Sequence, residues 1–473
     1  MTTIINQFEE KDIKKSKLPI EWQSESAQIE LEEFLQENWD QRKTLYDDGE
    51  NYKKQQFLGF KAHGMLRTNE YVGTIVFKGQ QLNIFPKMFR ETEGDDDTDS
   101  LELGHLMGNL IQWLEYCSKF EFPYINIKSE LKGVDNLKEL FITVFVKKLT
   151  QCFERSGYFQ YEEKTEDLSS IHGRFDVKDY YTRKYANGVL NKFQCTYSSF
   201  EFDNLLNRII KYTCKKIITD TRPSNQKAIK LILTKLSDVE DIRCTPKDCD
   251  KVKIGKMNAN YRIILSMCKM FLLNSTSTYI IDNTESFCFL FPTDVLFEGF
   301  IGGFIQETIG NRGKVTIQVS EVALIDEVIF KGKSYGKAFT MRHDILCNIP
   351  NKGVFILDTK YKQIQRFEET QDDEKKFRLE LIKGVEQKDL YQVSSYAVKR
   401  KVDKAFLLYP LYRKEENEPD MVTLQQVIKS NDDSDKSLKI ISIYLVRLPF
   451  VFEDDIEKVK SNLKQVIDNI FAQ

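Results

Sequence analysis

Four apolar residues in a row, Val354-Phe355-Ile356-Leu357, run directly into Asp358-Thr359-Lys360. Successive side chains of a strand point to opposite faces, so an unbroken apolar run reads as a strand covered on both sides. A buried strand that ends in charges is costly unless those charges are paired or hold a metal. Alternation places Asp358 and Lys360 on one face and turns Thr359 away. This one segment therefore asks for a sheet packed between helices, with chemistry at the strand's end.

The surrounding pattern agrees with an α/β domain over residues 285–473. Its texture predicts a helix from Phe297 to Ile309 and strands at Val315–Val319, Ala338–Cys347 and Gly353–Tyr361. A charged insertion over 367–388 precedes a helix at Asp389–Arg400 and strands at Lys404–Tyr409 and Lys439–Arg447. Alternating helices and strands of this kind build an α/β layer. Asp344, near the end of one strand, is joined to Asp358 by a short turn containing Pro350, Asn351 and Gly353. Two carboxylates and an ammonium thus converge.

Upstream, residues 1–95 read as a mostly β N-terminal domain. Tyr71, Gly73, Ile75 and Phe77 alternate with Val72, Thr74 and Val76, Lys78-Gly79 supplies a turn, and Pro86 ends the second strand of the hairpin. The first twenty or so residues look loose. The acidic stretch 91–100 marks a boundary. Beyond it, 100–282 reads as a central helical region, with apolar steps of three and four from Leu103 to Leu114, from Leu137 to Leu149 and from Phe202 towards Ile218. Residues 224–236 and 258–273 look helical too, and a polar segment with Gly173 intervenes. The expected fold is a multidomain α/β protein: β N-terminus, α-helical centre, α/β C-terminus.

Composition narrows the chemistry. Nine scattered cysteines and four histidines, with no CxxC pair, argue against a zinc site and fit reduced thiols in a cytoplasmic protein. The N-terminus lacks a signal-peptide core, and the longest apolar stretches are broken by Lys269 and Asp294, so no membrane partner is expected. Net charge is −3, so a phosphate-binding surface has to be local. Hydrolysing a phosphodiester needs a cation on the phosphorus oxygens, an aligned water and a group to polarise it. Two aspartates suit a magnesium ion, and a lysine suits the water.

Acid, gap, then Asp-x-Lys resembles the PD-(D/E)XK nuclease superfamily. Glu298, in DVLFEGFIGGF, stands on a helix upstream of the sheet, where that superfamily often has an accessory acid. Gln392 and Tyr396, in KDLYQVSSYA, lie four apart on one helix face. More broadly, YVGTIVFKGQQLNIFPKM, IHGRFDV, FEFDNLLNRIIKYT, LFEGFIGGF, LDTKYK and DLYQVSSYA follow one another in the order of the McrC family of McrBC-type, 5-methylcytosine-specific (type IV) restriction systems, a resemblance spanning roughly 57–410. One departure is His343, where that family usually has proline before the first aspartate.

The resemblance implies a C-terminal PD-(D/E)XK nuclease-like domain whose site comprises Asp344, Asp358, Lys360, Glu298 and Gln392. Asp344 and Asp358, with Glu298 as accessory acid, would hold magnesium or manganese, and Lys360 would be the catalytic cation. It also implies double-stranded DNA as substrate and a hexameric McrB-like AAA+ GTPase or ATPase as partner, docked on the N-terminal β region. This chain has no GxxxxGK[ST] loop, so GTP would be bound by the partner.

Blander readings stand beside these. Asp358 and Lys360 make an ordinary strand-end ion pair in one, Glu298 is a solvent-facing helix acid, and Gln392 with Tyr396 merely caps and packs its helix. At the level of the chain, the alternatives are a non-catalytic assembly subunit of the AAA+ ring and an autonomous nuclease. The helix face Asp203-Asn204, Asn207-Arg208 and Lys211 is open to either a binding or a structural role, as is His172-Gly173-Arg174. His63 and Gly64 are expected to shape a turn, and the resemblance would allow either Arg67 or Lys61 to reach into the neighbouring ring, with nothing in the sequence to choose between them.

Overall fold

The structure, a computed structural model, describes residues 3–46, 54–90, 98, 102–117, 137–255, 258–275, 286–331, 333–362, 364, 382–412, 421–429, 438–452 and 456–472. It is a mixed α/β multidomain protein whose chain forms two compact units, Met1–Leu137 with Tyr279–Gln473, and Lys138–Thr278. The acidic boundary stretch and most of the charged insertion over 367–388 lie outside the described residues.

The N-terminal part contributes β1 (Ile4–Phe8), β2 (Asp12–Ile13), β3 (Leu58–Lys61), β4 (Met65–Thr68), β5 (Tyr71–Phe77) and β6 (Gln80–Phe85). The expected hairpin forms between β5 and β6, and both residues of its turn, Lys78 and Gly79, have positive φ, as its tightness demands. The opening residues are not loose: β1 runs parallel to β6, from Ile4 opposite Gln81 to Phe8 opposite Phe85. Neither the sequence's alternation nor its hairpin signal announces the helix Glu25–Tyr46. Its Leu31, Phe34 and Leu35 pack with Trp22, Phe77, Leu82 and Ile84 in one apolar cluster. His63 and Gly64 do turn the chain at positive φ. Lys61 and Arg67 both pair with Asp12 at the surface, at 2.7 and 3.4 Å.

The unit Lys138–Thr278 carries the expected helices, Leu137–Arg155, Leu205–Ile217, Pro223–Lys235 and Asn260–Ser275. It also holds an antiparallel sheet that the sequence reading lacked, β7 (Gln160–Leu168), β8 (Arg174–Phe175) and β9 (Phe193–Glu201), in the order β7-β9-β8. Gly173, next to β8, has a positive φ, and a Cβ there would meet the Thr196 carbonyl at 2.5 Å. The polar helix face is engaged internally: Asn204 caps the helix by accepting from the Asn207 amide, Arg208 pairs with Asp203 at 2.7 Å, and buried Lys211 donates to the Val239 carbonyl at 2.5 Å.

The chain then returns to the N-terminal sheet. β10 (Phe287–Pro292) lies antiparallel to β5 and completes the order β1-β6-β5-β10. Gly73 permits that pairing, because a Cβ there would sit 2.0 Å from the Phe289 carbonyl. Next come the helix Thr293–Ile309, β11 (Lys314–Ile325), the short strands β12 (Ile329–Phe330) and β13 (Lys333–Ser334), β14 (Ala338–Ile349) and β15 (Gly353–Thr359). The helix Gln387–Arg400, β16 (Lys404–Pro410), β17 (Met421–Lys429), β18 (Leu438–Leu448) and the helix Ile456–Ile470 follow. The large sheet has the order β11-β14-β15-β16-β18-β17, with β15-β16 and β16-β18 parallel and the other pairs antiparallel.

Alternation along β15 is as the apolar run required. Ile356 packs with Val393, Tyr396 and Ala397 of the helix Gln387–Arg400, while Phe355, on the other face, meets Phe471 edge-on at 5.2 Å. The helix Thr293–Ile309 packs on β11, β14 and β15. All nine cysteines are buried and free. Among the described residues, no helix is long and apolar enough to cross a membrane.

Candidate functional site

β14 and β15 are antiparallel with Ile345 opposite Leu357, so the next register step sets Asp344 beside Asp358 at the end of their ladder. There the Asp344 carboxylate replaces a strand acceptor: its Oδ2 takes hydrogen bonds from the Thr359 amide at 2.7 Å and the Thr359 hydroxyl at 2.8 Å. Thr359, expected to face away, thus caps Asp344, because its hydroxyl reaches round the strand end where the ladder stops. On the other side, the Lys360 amide donates to the Leu408 carbonyl, which ties the end of β15 to β16.

Asp358 is 1% exposed, and its Oδ1 has no hydrogen-bond donor among the described residues. The Lys360 ammonium stands 2.5 Å from Oδ2 as an ion pair without hydrogen-bond geometry. Burial first, then the neighbouring Asp344, push the Asp358 carboxyl up to about 7. Burial likewise raises Asp344, against the pull of Lys360 and Thr359. Burial works against the Lys360 ammonium, but Asp358, Asp344 and Asp389 together hold it above its ordinary value.

From Lys360 a polar chain runs across to the helix Gln387–Arg400. Nζ donates to Gln392 Oε1 at 3.2 Å, Gln392 Nε2 to Tyr396 Oη at 2.7 Å, and Tyr396 Oη to the Arg342 carbonyl at 2.8 Å. Gln392 and Tyr396, one helical turn apart, fix the lysine's direction and return the contact to β14, the strand of Asp344. His343 is buried against the Tyr396 ring, with centroids 4.4 Å apart, and its Nε2 lies 3.3 Å from Arg400 Nε. Burial, then Arg400, lower its pKa.

Glu298 sits apart from this chain, accepting from Gln318 Nε2 at 3.0 Å. Gln318 lies between the pairs Ile317-Ile345 and Val319-His343, hence opposite Asp344, in a stretch of β11 with positive φ and a shifted register just beyond. No group of three or more His, Cys, Asp or Glu side chains placed to hold a metal ion occurs among the described residues. The structure therefore joins Asp344, Asp358, Lys360, Gln392 and Tyr396, and leaves Glu298 one residue removed through Gln318.

Several participants escaped the sequence reading. Buried Asp389 binds Lys362 Nζ at 2.8 Å, and Lys362 also pairs with Glu386 at 2.8 Å. Lys362 lies past the strand, where its amide turns back to the Lys360 carbonyl, and Asp389 lies one turn before Gln392, so helical spacing was the one signal to follow. The buried Tyr409 hydroxyl on β16 has no partner among the described residues. Tyr361, next to Lys360, donates to Glu9 Oε1 at 2.7 Å, and Glu9 Oε2 accepts from Thr293 at 2.6 Å. The Lys87 amide adds a third donor at 2.8 Å. Fully buried Glu9, just past β1, thereby links the exit of β15 to the start of the helix carrying Glu298. No local pattern could have shown that.

A carboxylate pair with an orphaned buried oxygen, beside a fixed ammonium, suits a divalent cation: each remaining lone pair is a coordination position with no other occupant among the described residues.

A family model described as "McrBC 5-methylcytosine restriction system component" matches residues 66–410, more than half of the chain. The type IV methyl-directed restriction enzyme EcoKMcrBC of Escherichia coli (strain K12) is 25% identical over 143 residues, which are 30% of this chain and 40% of that protein. The chain thus spans well under two thirds of that curated relative. Among solved structures, a chain of the refined half-complex from the tetradecameric assembly of Thermococcus gammatolerans McrB AAA+ hexamers with bound McrC is similar in fold. Its TM-score is 0.61 at 17% identity, and the match covers 99% of this chain and 100% of that one.

Proposed function

Since this chain belongs to the family of McrBC 5-methylcytosine restriction system components, we propose that it is the system's DNA-cleaving subunit, a metal-dependent endonuclease of PD-(D/E)XK type acting with a McrB-like AAA+ GTPase. The observation that carries the reading is the buried Asp358 carboxylate, opposite Asp344 and short of donors, with Lys360 held over it. A mixed sheet whose central strand ends in Asp-x-Lys supports the nuclease-like assignment of the C-terminal part.

Asp344 and Asp358 would hold magnesium or manganese, and such an ion, when bound, supplies charge neutralisation at the phosphodiester. The rest falls to this chain's own groups. Lys360 Nζ, steered by Gln392, donates hydrogen bonds to the attacking water or to a phosphate oxygen. Tyr396 keeps Gln392's amide oriented with its oxygen towards the lysine. Thr359 fixes one oxygen of Asp344, leaving the other for the metal. Glu298, reached through Gln318, would act as an accessory acid. GTP would be bound by the partner ring, and base recognition would fall outside this chain's phosphate contacts.

The direct test is cleavage of double-stranded, 5-methylcytosine-containing DNA by the chain with its AAA+ partner, magnesium and GTP. Asp358→Ala and Lys360→Ala are each expected to lower the rate by at least about a hundredfold, in line with loss of a metal ligand or charge stabiliser. Unchanged cleavage by both variants removes the assignment. The Lys360-Asp358 ion pair itself favours a second reading, an assembly subunit with a structural pair in this position. In that case both variants would still stimulate the partner's GTP hydrolysis, and wild type would cleave nothing.

A further inference from the structure

Past Asp344, towards its N-terminal end, β14 leaves the body of the sheet. It pairs with β15 only from Ile345 onward, whereas Ala338 to His343 pair with β11 alone, from Ala338-Ile325 to His343-Val319. Ala338 lies six residues before Asp344, a span of about 20 Å at strand rise. This two-stranded ribbon is packed at its root, where Met341 and Val322 join the cluster of Val393, Tyr396 and Ala397, and becomes exposed from Phe339 outward. Farther along, β12 and β13 pair through Ile329-Ser334 and Phe330-Lys333, and Val328 exchanges backbone hydrogen bonds of 2.8 Å with Tyr335 and Gly336.

This ribbon shows aromatic and cationic side chains to solvent together. Ile329, Phe330, Tyr335 and Phe339 are 65%, 60%, 60% and 76% exposed. Between Val328 and Arg342 the sequence holds Lys331, Lys333, Lys337 and Arg342 and no carboxylate, in a chain whose 69 basic residues are outnumbered by 72 acidic ones. Lys331 and Lys333 lie over the rings of Phe330 and Tyr335, at 5.4 and 5.7 Å, and neither has a carboxylate partner among the described residues. Three acids, Glu321, Asp326 and Glu327, precede that stretch; Asp326 is engaged by Lys399 at 2.5 Å and is also held ionised by Lys337.

We infer that this ribbon is a DNA-binding arm, which lies along the duplex whose phosphodiester enters the Asp344-Asp358 site; it rests on the nuclease reading given above. Cations interleaved with exposed aromatic and aliphatic groups are the surface that phosphates, sugars and base edges complement together. A two-stranded ribbon is also of the width that a major groove of about 12 Å admits. An apolar tip alone would suit a second copy of the chain equally. The cationic stretch 328–342, with four basic residues and no acid, favours the polyphosphate of a duplex as its occupant, and the self-contact is an outcome of the test.

The test measures binding of a fluorescein-labelled duplex by the full-length chain across a salt series, alongside cleavage by the same chain with its partner. Alanine at Lys331, Lys333 and Lys337 together is expected to weaken binding at least tenfold at low salt. It should also flatten the log-log salt slope by about 2 to 3, close to 0.9 per lost phosphate contact, equally for methylated and unmethylated duplexes. All three side chains point to solvent, so the melting temperature should not move. Equal affinity and slope in wild type and triple variant overturn the arm, even if wild type cleaves and the nuclease reading stands. A lowered slope together with undiminished cleavage by Asp358→Asn keeps the arm and removes the nuclease reading. If Phe330→Ser with Phe339→Ser lowers the mass of the chain in solution without touching DNA affinity, the ribbon is a contact between copies and the arm falls.

Discussion

Asp358 is where stability and chemistry conflict. An unfolded aspartate ionises near 3.8, whereas burial and Asp344 keep this one protonated up to about 7. Below pH 4 both states carry the proton and nothing is lost; between the two values the unfolded chain ionises first, so folding stability falls as pH rises. Above about pH 7 the full cost is present. Metal-free Asp358→Asn is therefore expected to melt higher than wild type at about pH 8, by on the order of 1–2 kcal/mol, since Lys360's lost counter-ion offsets part of the gain. The advantage should vanish near pH 4, and added magnesium should raise the melting temperature of wild type but not of the variant. A variant no more stable at high pH, or one that responds to magnesium like wild type, contradicts this account. The residues on which it rests were legible in sequence, because period two joins Asp358 to Lys360 and a short turn returns Asp344. Thr359, Tyr409 and Glu9 were not, since what they touch is decided by strand-end geometry and by neighbours distant in the chain.

At the scale of elements, the helix Thr293–Ile309 occupies a tight slot. A Cβ on Gly303 would stand 2.2 Å from the Tyr116 carbonyl, and one on Gly299 the same distance from Cys117 Sγ. The two glycines, four apart, let the helix press against the end of the helix Leu103–Tyr116. Because a backbone carbonyl cannot swing away as a side chain would, Gly303→Ala is expected to destabilise by about 1–3 kcal/mol. Gly104, in the partner helix, has open space where its Cβ would be. Gly104→Ala should raise stability by about 0.5 kcal/mol, through a less disordered unfolded chain. Thermal melts of the two variants decide it, and equal shifts would refute the packing argument. The helices were readable from their spacing, as were most strands of the large sheet. β7 was not, because QYEEKTEDL places charges on both faces, and an exposed ribbon needs no apolar alternation. The helix Glu25–Tyr46 was hidden similarly, by a polar composition that masks the few residues it buries.

For the whole molecule, the decisive feature is that the site-bearing unit is built from both ends of the chain. Residues 285–473 read as a separable domain in sequence, since a lone apolar strand such as Phe287–Pro292 carries no sign of its partner. In the fold that strand pairs with β5, and the Glu9 carboxylate from the opposite end of the chain holds Tyr361 and Thr293. Excising 285–473 leaves β10 without its ladder and exposes Cys288 and Leu290, both buried against the N-terminal core. It also strips the acceptor from two hydroxyls, Tyr361 and Thr293, flanking β15 and the helix of Glu298. An edge so exposed favours association. The fragment is therefore expected to aggregate or to melt well below the intact chain, and adding residues 1–137 in trans should recover part of the loss. In the full-length chain, Glu9→Ala should lower stability by about 2–4 kcal/mol, as buried donors lose their acceptor. Glu9→Gln, which keeps one acceptor oxygen, should cost less. A soluble 285–473 fragment with the melting temperature of the whole protein would show that the N-terminal strands merely lean on this unit and do not complete it.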